Sequence, residues 1–152
     1  MEIKCYKLFR KMKNGELKPL FMGKTKATPV GEWIQHEIAN GPMALRAGWH
    51  ASDYPVALHI GEKANPTDTK PSYRPANQVW CECLIDGEEI TENIPKNGFR
   101  DVPADKFYRF KTNPNMLEWW IIADRLKVVK ILSDDEVKQI NSARGIHDLP
   151  RR

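Results

Sequence analysis

The stretch from Glu118 to Leu132 restricts the fold more than any other part of the chain. Glu118-Trp119-Trp120-Ile121-Ile122-Ala123 and the residues from Leu126 to Leu132 are apolar and rich in β-branched and aromatic side chains, which suit strands. Glu118, Trp120 and Ile122 fall on one side, Trp119, Ile121 and Ala123 on the other. Asp124-Arg125 interrupts the run and predicts a bulge or bend. A stretch of this kind needs sheet partners, because its backbone groups and both its faces have to be covered.

Partners are present. Ile3 to Arg10 alternates, with Ile3, Cys5, Lys7 and Phe9 facing one way. Lys13-Asn14-Gly15 is a turn signal, Asn-Gly favouring a tight hairpin, and Leu17 to Met22 is the expected returning strand. Val79 to Ile85 is the clearest strand, with Val79, Cys81, Cys83 and Ile85 on one face and Asp86-Gly87 as the turn that ends it. Phe107-Tyr108-Arg109-Phe110 reads as a short strand inside an otherwise irregular stretch, 86–116. Pro29 to Ile34 opens a short aromatic-anchored segment, helical through Glu37. Residues 61–78, rich in Pro, Asn, Thr and Lys, read as an exposed loop, either a mobile lid or variable surface.

The chain closes with a helix. Ser133 is its N-cap, Glu136 three residues on completes a capping box, and Asp134 and Asp135 suit the positive end of the helix dipole. Gly145 stops it, and residues 146–152 read as a loose basic tail. The expectation is one α+β domain over residues 1–145, strand-rich with mixed or antiparallel sheets, few short helices and a C-terminal helix.

At 152 residues the chain can bury a core but does not hold two ordinary domains. No apolar run approaches the roughly 20 residues that span a bilayer, and Met1 to Cys5 lacks the apolar core of a signal peptide. Three cysteines, an odd number, point to reduced thiols and a cytoplasmic location. Residues 1–30 hold eight Lys or Arg against two Glu, a net of +6, and the remainder sixteen against eighteen, a net of −2. The basic N-terminal part is a solvated hairpin or a surface for phosphate, nucleic acid or an acidic protein. It lacks the interleaved aromatic residues that stack single-stranded bases.

Residues 48–60, Gly-Trp-His-Ala-Ser-Asp-Tyr-Pro-Val-Ala-Leu-His-Ile, crowd aromatic, polar and titratable groups together. Gly48 and Pro55 mark a strand that ends in a loop and enters a short helix. The segment is either a ligand-contacting loop or a buried aromatic turn with packed histidines. Glu118 opens an apolar strand beside two tryptophans, where desolvation raises a carboxyl pKa. It is a candidate for stabilising a developing cation, or else a salt-bridged edge residue. Arg10 ends the first strand with a planar fork for phosphate or carboxylate, or is ordinary surface charge. Phosphate-loop, dinucleotide-fold and acyl-transfer signatures do not occur. Cys81-Glu82-Cys83 lacks the further ligands of a metal site, and His50 and His59 make no helical metal pair, so no metal is expected.

Lys7-Leu8-Phe9-Arg10, Gly48-Trp49-His50-Ala51-Ser52-Asp53 and Leu117-Glu118-Trp119-Trp120-Ile121-Ile122-Ala123-Asp124, in that order, resemble the scaffold of the ADP-ribosyltransferase superfamily. The resemblance covers about a fifth of the chain. It implies that NAD is the cofactor and that Glu118 is the catalytic residue, stabilising an oxocarbenium-like transition state at the ribose. By the same resemblance Arg10 contacts the dinucleotide, His50 packs on nicotinamide, and Ser52 and Tyr54 support that pocket. Met116 stands where arginine-modifying members carry a second acid. The chain is also similar to small uncharacterised phage and prophage proteins, through Pro29-Val30-Gly31-Glu32-Trp33, Gly48-Trp49-His50 and Ala123-Asp124-Arg125-Leu126-Lys127-Val128-Val129. Two functions follow as expectations. One is an NAD-using transferase acting on a host protein or nucleic acid in the host cytoplasm. The other is a non-catalytic phage-encoded protein that binds and inhibits a host defence factor.

Overall fold

A computed structural model describes residues 2–20, 26–36, 47–111 and 118–152. Strands β1 (Ile3–Lys11), β2 (Leu17–Pro19), β3 (Trp33–Gln35), β4 (Trp49–Ala51), β5 (Gln78–Ile85), β6 (Glu88–Ile90), β7 (Lys106–Phe110), β8 (Trp120–Ala123) and β9 (Arg125–Ile131) are followed by helix α1 (Asp134–Ser142). They form a five-stranded sheet of order β2-β1-β5-β9-β3 and a four-stranded sheet of order β4-β8-β7-β6. The first is antiparallel throughout, and the second is antiparallel except for the parallel pair β6–β7. This is the expected strand-rich α+β architecture with a C-terminal helix.

Alternation in β1 and β5 sets their faces. Cys5 lies opposite Cys83, Lys7 opposite Cys81 and Phe9 opposite Val79. The face they share builds one core with Ala51, Phe107 and Ile121, so the two sheets enclose it between them. The other face of β1 and β5, carrying Tyr6, Leu8 and Trp80, packs against Val137 of α1 and Ala57. The far face of the smaller sheet, carrying Tyr108 and Ile122, is covered by Val102 and Phe99.

The β1–β2 connection closes as the Asn-Gly signal demands. The Gly15 N–H donates to Met12 O at 2.9 Å, and Gly15 takes φ +89°, a conformation that strains other residues. The returning strand is short, ending at Pro19, and Phe21 and Met22 lie outside the described residues. The capping box of α1 is complete: Glu136 N–H donates to Ser133 Oγ at 3.1 Å and Ser133 N–H to Glu136 Oε1 at 3.0 Å. Past the helix, Gly145 takes φ +72° and Ile146 N–H reaches back to Asn141 O at 3.1 Å.

Four expectations need correction. The segment after Val30 is strand β3 and not a helix, because Trp33, Ile34 and Gln35 find a partner in Lys127, Leu126 and Arg125 of β9; Glu37 lies outside the described residues. The segment after Ala51 runs through turns with no helix. The Glu118–Leu132 stretch is not one bent strand in one sheet. β8 pairs with β4 and β7, β9 pairs with β5 and β3, and the chain changes sheets at Asp124. Finally, residues 146–152 are not loose. Asp148 accepts from Arg74 Nη2 at 2.7 Å and from Trp80 Nε1 at 2.7 Å, and Arg151 donates to Pro75 O at 2.6 Å and Gln78 O at 3.0 Å. The sequence of residues 61–78 reads as surface because it is polar, yet Arg74 within it is 2% exposed and holds this closing segment. Among the described residues no helix is long and apolar enough to cross a membrane.

Candidate functional site

Strand β4 places the crowded 48–54 segment beside β8. His50 lies opposite Ile122 and Ala51 opposite Ile121. Gly48 is required here: a Cβ on it would stand 2.7 Å from Ile122 Cγ2, and its φ is +133°. After Ala51 the chain leaves β8 for β1, where Ser52 and Tyr6 exchange backbone hydrogen bonds of 2.8 Å. The Ser52 hydroxyl donates to Tyr54 O at 2.6 Å and shapes the turn that presents Tyr54.

Tyr54 and Glu118 meet through Arg144. The Arg144 guanidinium sits 5.1 Å from the Tyr54 ring centroid, and its Nη1 is 3.2 Å from Glu118 Oε1. Glu118 stands just before β8, with 8% of its side chain exposed, against 50% for Arg144. Burial raises the Glu118 pKa; Arg144 opposes the rise, Asp53 adds to it and Arg109 opposes it. Asp53 pairs with Arg109 of β7, whose Nε also lies 3.6 Å from Glu89. The Glu118–Arg144 pair and the group of Arg109 with Asp53 and Glu89 thus influence one another electrostatically.

His50 packs on Trp120 of β8, two residues after Glu118. The two rings meet edge to face at 5.6 Å, and His59 meets the same indole in the same manner at 5.6 Å. Burial lowers the His59 pKa, and Arg74 lowers it further. Ser52, Tyr54 and Glu118 are thus linked, while His50 packs with Trp120 on the face that carries Ile122. Arg10 is not brought to this group. It lies opposite Lys18 and Gln78, and its Nε donates to Pro19 O at 3.4 Å. Four strand residues, or about 13 Å, separate it from Tyr6, which bridges to Ser52. Met116 lies outside the described residues.

Three participants escaped notice in the sequence. Arg109 sits at an inward position of a strand, and that is the signal that marks it. Arg144 follows α1 by sequence and meets Glu118 only through tertiary packing. Lys7 occupies the core-facing row between Cys5 and Phe9, donates to His50 O at 3.0 Å, and has its pKa lowered to about 8 by burial. The thiols of Cys5 and Cys81 are pushed up to about 12 by burial and that of Cys83 well above its ordinary value, as befits small core residues. Among the described residues no group of three or more His, Cys, Asp or Glu side chains could hold a metal ion.

The group combines aromatic faces, a buried carboxylate and guanidiniums. That set can stack a flat heterocycle, hold an anion and stabilise a positive charge. No protein-family model, no curated protein and no solved structure matches the chain.

Proposed function

We propose that the protein binds NAD or a related dinucleotide at the Tyr54–Glu118–Arg144 group and transfers ADP-ribose to a host macromolecule. The observation that carries this reading is Glu118: a carboxylate with 8% exposure, paired with a half-exposed arginine that lies over the Tyr54 ring. The resemblance to the ADP-ribosyltransferase scaffold supports it, since the two motif strands β4 and β8 are direct neighbours. The residues suit such a ligand in kind. Tyr54, His50 and Trp120 offer faces for nicotinamide, and Arg144 offers a guanidinium for an anionic oxygen. Arg10 joins only if the ligand is extended, as a dinucleotide is.

NAD supplies a ribose–nicotinamide bond whose cleavage leaves positive charge on the ribose. Glu118 in its ionised form stabilises that charge, and its low exposure strengthens the interaction. Arg144 favours the ionised form and so keeps the carboxylate ready. The Ser52 hydroxyl fixes the Tyr54 turn and takes no part in bond breaking.

Calorimetric titration with NAD, then mass spectrometry of a host lysate incubated with protein and NAD, tests this reading. Binding together with ADP-ribose adducts supports it; an absence of binding at millimolar NAD overturns it. The second reading, a non-catalytic inhibitor of a host defence factor, is favoured by one observation. Glu118 is already paired with Arg144, as a purely structural carboxylate would be. A Glu118→Gln protein that keeps its full biological effect decides for the inhibitor.

A further inference from the structure

We propose that the β1–β2 hairpin binds the phosphate backbone of double-stranded nucleic acid, because strand pairing gathers Arg10, Lys11, Lys13 and Lys18 on a surface whose acidic neighbours do not neutralise them. This does not rest on the NAD reading, which centres on Glu118.

The register fixes the cations. Arg10 lies opposite Lys18, and Lys11 opposite Leu17. Side chains in such a pair leave the backbone only about 5 Å apart, and like charges so placed repel. An anion set between them relieves that repulsion. Lys13 stands in the turn, which the Met12 N–H closes on Glu16 O at 2.8 Å. The Lys11 N–H anchors the hairpin to Asn77 O at 2.7 Å. Lys11 and Lys13 are exposed, and Arg10 and Lys18 are half-buried.

The surroundings leave this charge standing. Residues 10–18 hold four cations against Glu16, a net of +3. Among the described residues no carboxylate pairs with Lys11, Lys13 or Lys18. The neighbour that β5 sets beside Arg10 is Gln78, which is uncharged. Asp134, which α1 brings to this end, is held by Arg151 at 2.9 Å, and Arg151 is itself tied to Pro75 O and Gln78 O.

The chemistry narrows the partner. From Arg10 to Lys13 is roughly 10 Å along the strand, a length over which a duplex presents about six phosphates. Each cation can thus meet one. A folded protein partner needs an apolar centre, and the exposed large hydrophobic residues, Val30, Trp119 and Val129, all lie outside the hairpin. A single strand needs open aromatic rings. Tyr6, Phe9 and Trp80 are buried, and the Arg152 guanidinium lies 4.8 Å over the Tyr73 ring. Contacts to phosphate carry no base information, so binding is independent of sequence.

The test is fluorescence anisotropy of two labelled 20-base-pair DNA duplexes of unrelated sequence, titrated with the intact protein in KCl. Micromolar binding, equal for both, is expected, and it should weaken roughly 100-fold between 50 and 200 mM salt, as about four phosphate contacts require. Lys11→Gln, Lys13→Gln and Lys18→Gln should each weaken binding to both duplexes alike and reduce the salt slope by about 1. Lys127→Gln, which lies beside β3 at the far edge of the sheet, should change neither. Far-ultraviolet spectra confirm that the variants are folded. An absence of binding at 50 mM salt and about 100 µM protein overturns the proposal, and so does an equal loss in Lys127→Gln, which would reflect net charge alone. Tighter binding to a single strand of the same length, or to phosphatidylserine vesicles, overturns the duplex as the partner. Arg10 is left unchanged in every variant, so this test and that of NAD binding fail separately.

Discussion

His36 Nδ1 and Asp124 Oδ1 meet at 2.8 Å across the corner where β8 gives way to β9. Both side chains are nearly closed off from solvent, 8% and 3% exposed. The other carboxylate oxygen accepts the Asp105 N–H at 2.9 Å, and the Asp124 backbone carbonyl accepts the His36 N–H at 2.7 Å. One residue thus ties β3, the loop before β7 and the sheet change together. Asp124→Ala leaves the buried His36 ring N–H and the Asp105 N–H without their acceptor and should cost about 2–3 kcal/mol, within the range for leaving buried donors unsatisfied. Urea denaturation of wild type and variant measures it, and a loss under ~1 kcal/mol would mean that the corner is held by its backbone alone.

The closing segment should prove just as integral. Arg74, 2% exposed, donates to Ala57 O at 3.0 Å, to Ile60 O at 2.5 Å and to Asp148, and Trp80 shares that carboxylate. Asp148→Ala leaves a guanidinium buried without its countercharge, at an expected cost of ~3–5 kcal/mol. Truncation after Gly145 should do at least as much damage. Thermal melts of both proteins check this; an unchanged melting temperature on truncation would restore the picture of a dispensable tail.

Glu118 should make stability fall as pH rises. Its folded pKa is raised above the ordinary 4.5, chiefly by burial. The folded state therefore holds the proton more tightly than the unfolded chain does. Its contribution is fully present below about pH 4.5 and is lost as pH climbs through the raised value. Glu118→Gln should flatten stability over that window and be no less stable at neutral pH. Arg144→Ala removes the charge that counters the shift and should steepen the fall. Denaturation midpoints for the three proteins across pH 4–8 separate these outcomes.

Two substitutions probe the nucleotide reading. Glu118→Gln should stay folded and still bind NAD, while ADP-ribosyl transfer drops by ~100- to 1,000-fold, the usual size of one lost electrostatic contact. Arg10→Ala should weaken NAD binding by ~1.5–3 kcal/mol if the guanidinium touches the pyrophosphate. Calorimetry on Arg10→Ala is the sharper of the two, because Arg10 lies along β1 from the rest. Unchanged affinity would confine the ligand to the Glu118 end and argue for something shorter than a dinucleotide.

The sequence by itself determined the local features. The alternation of Cys5, Lys7 and Phe9 and of Cys81, Cys83 and Ile85 is what β1 and β5 show. The Asn14-Gly15 turn and the Ser133–Glu136 capping box form where their residues stand. These follow from contacts a few positions apart, which neighbouring residue types control. Only the tertiary structure decided which sheet each half of the Glu118–Leu132 stretch joins. Both halves are apolar enough to be buried in either, and pairing depends on strands up to about a hundred residues away in sequence. The same holds for Arg144 against Glu118, for Asp148 against Arg74, and for Lys7 among the thiols. Charge and spacing mark such residues as polar, but desolvation and partnership are properties of the assembled core.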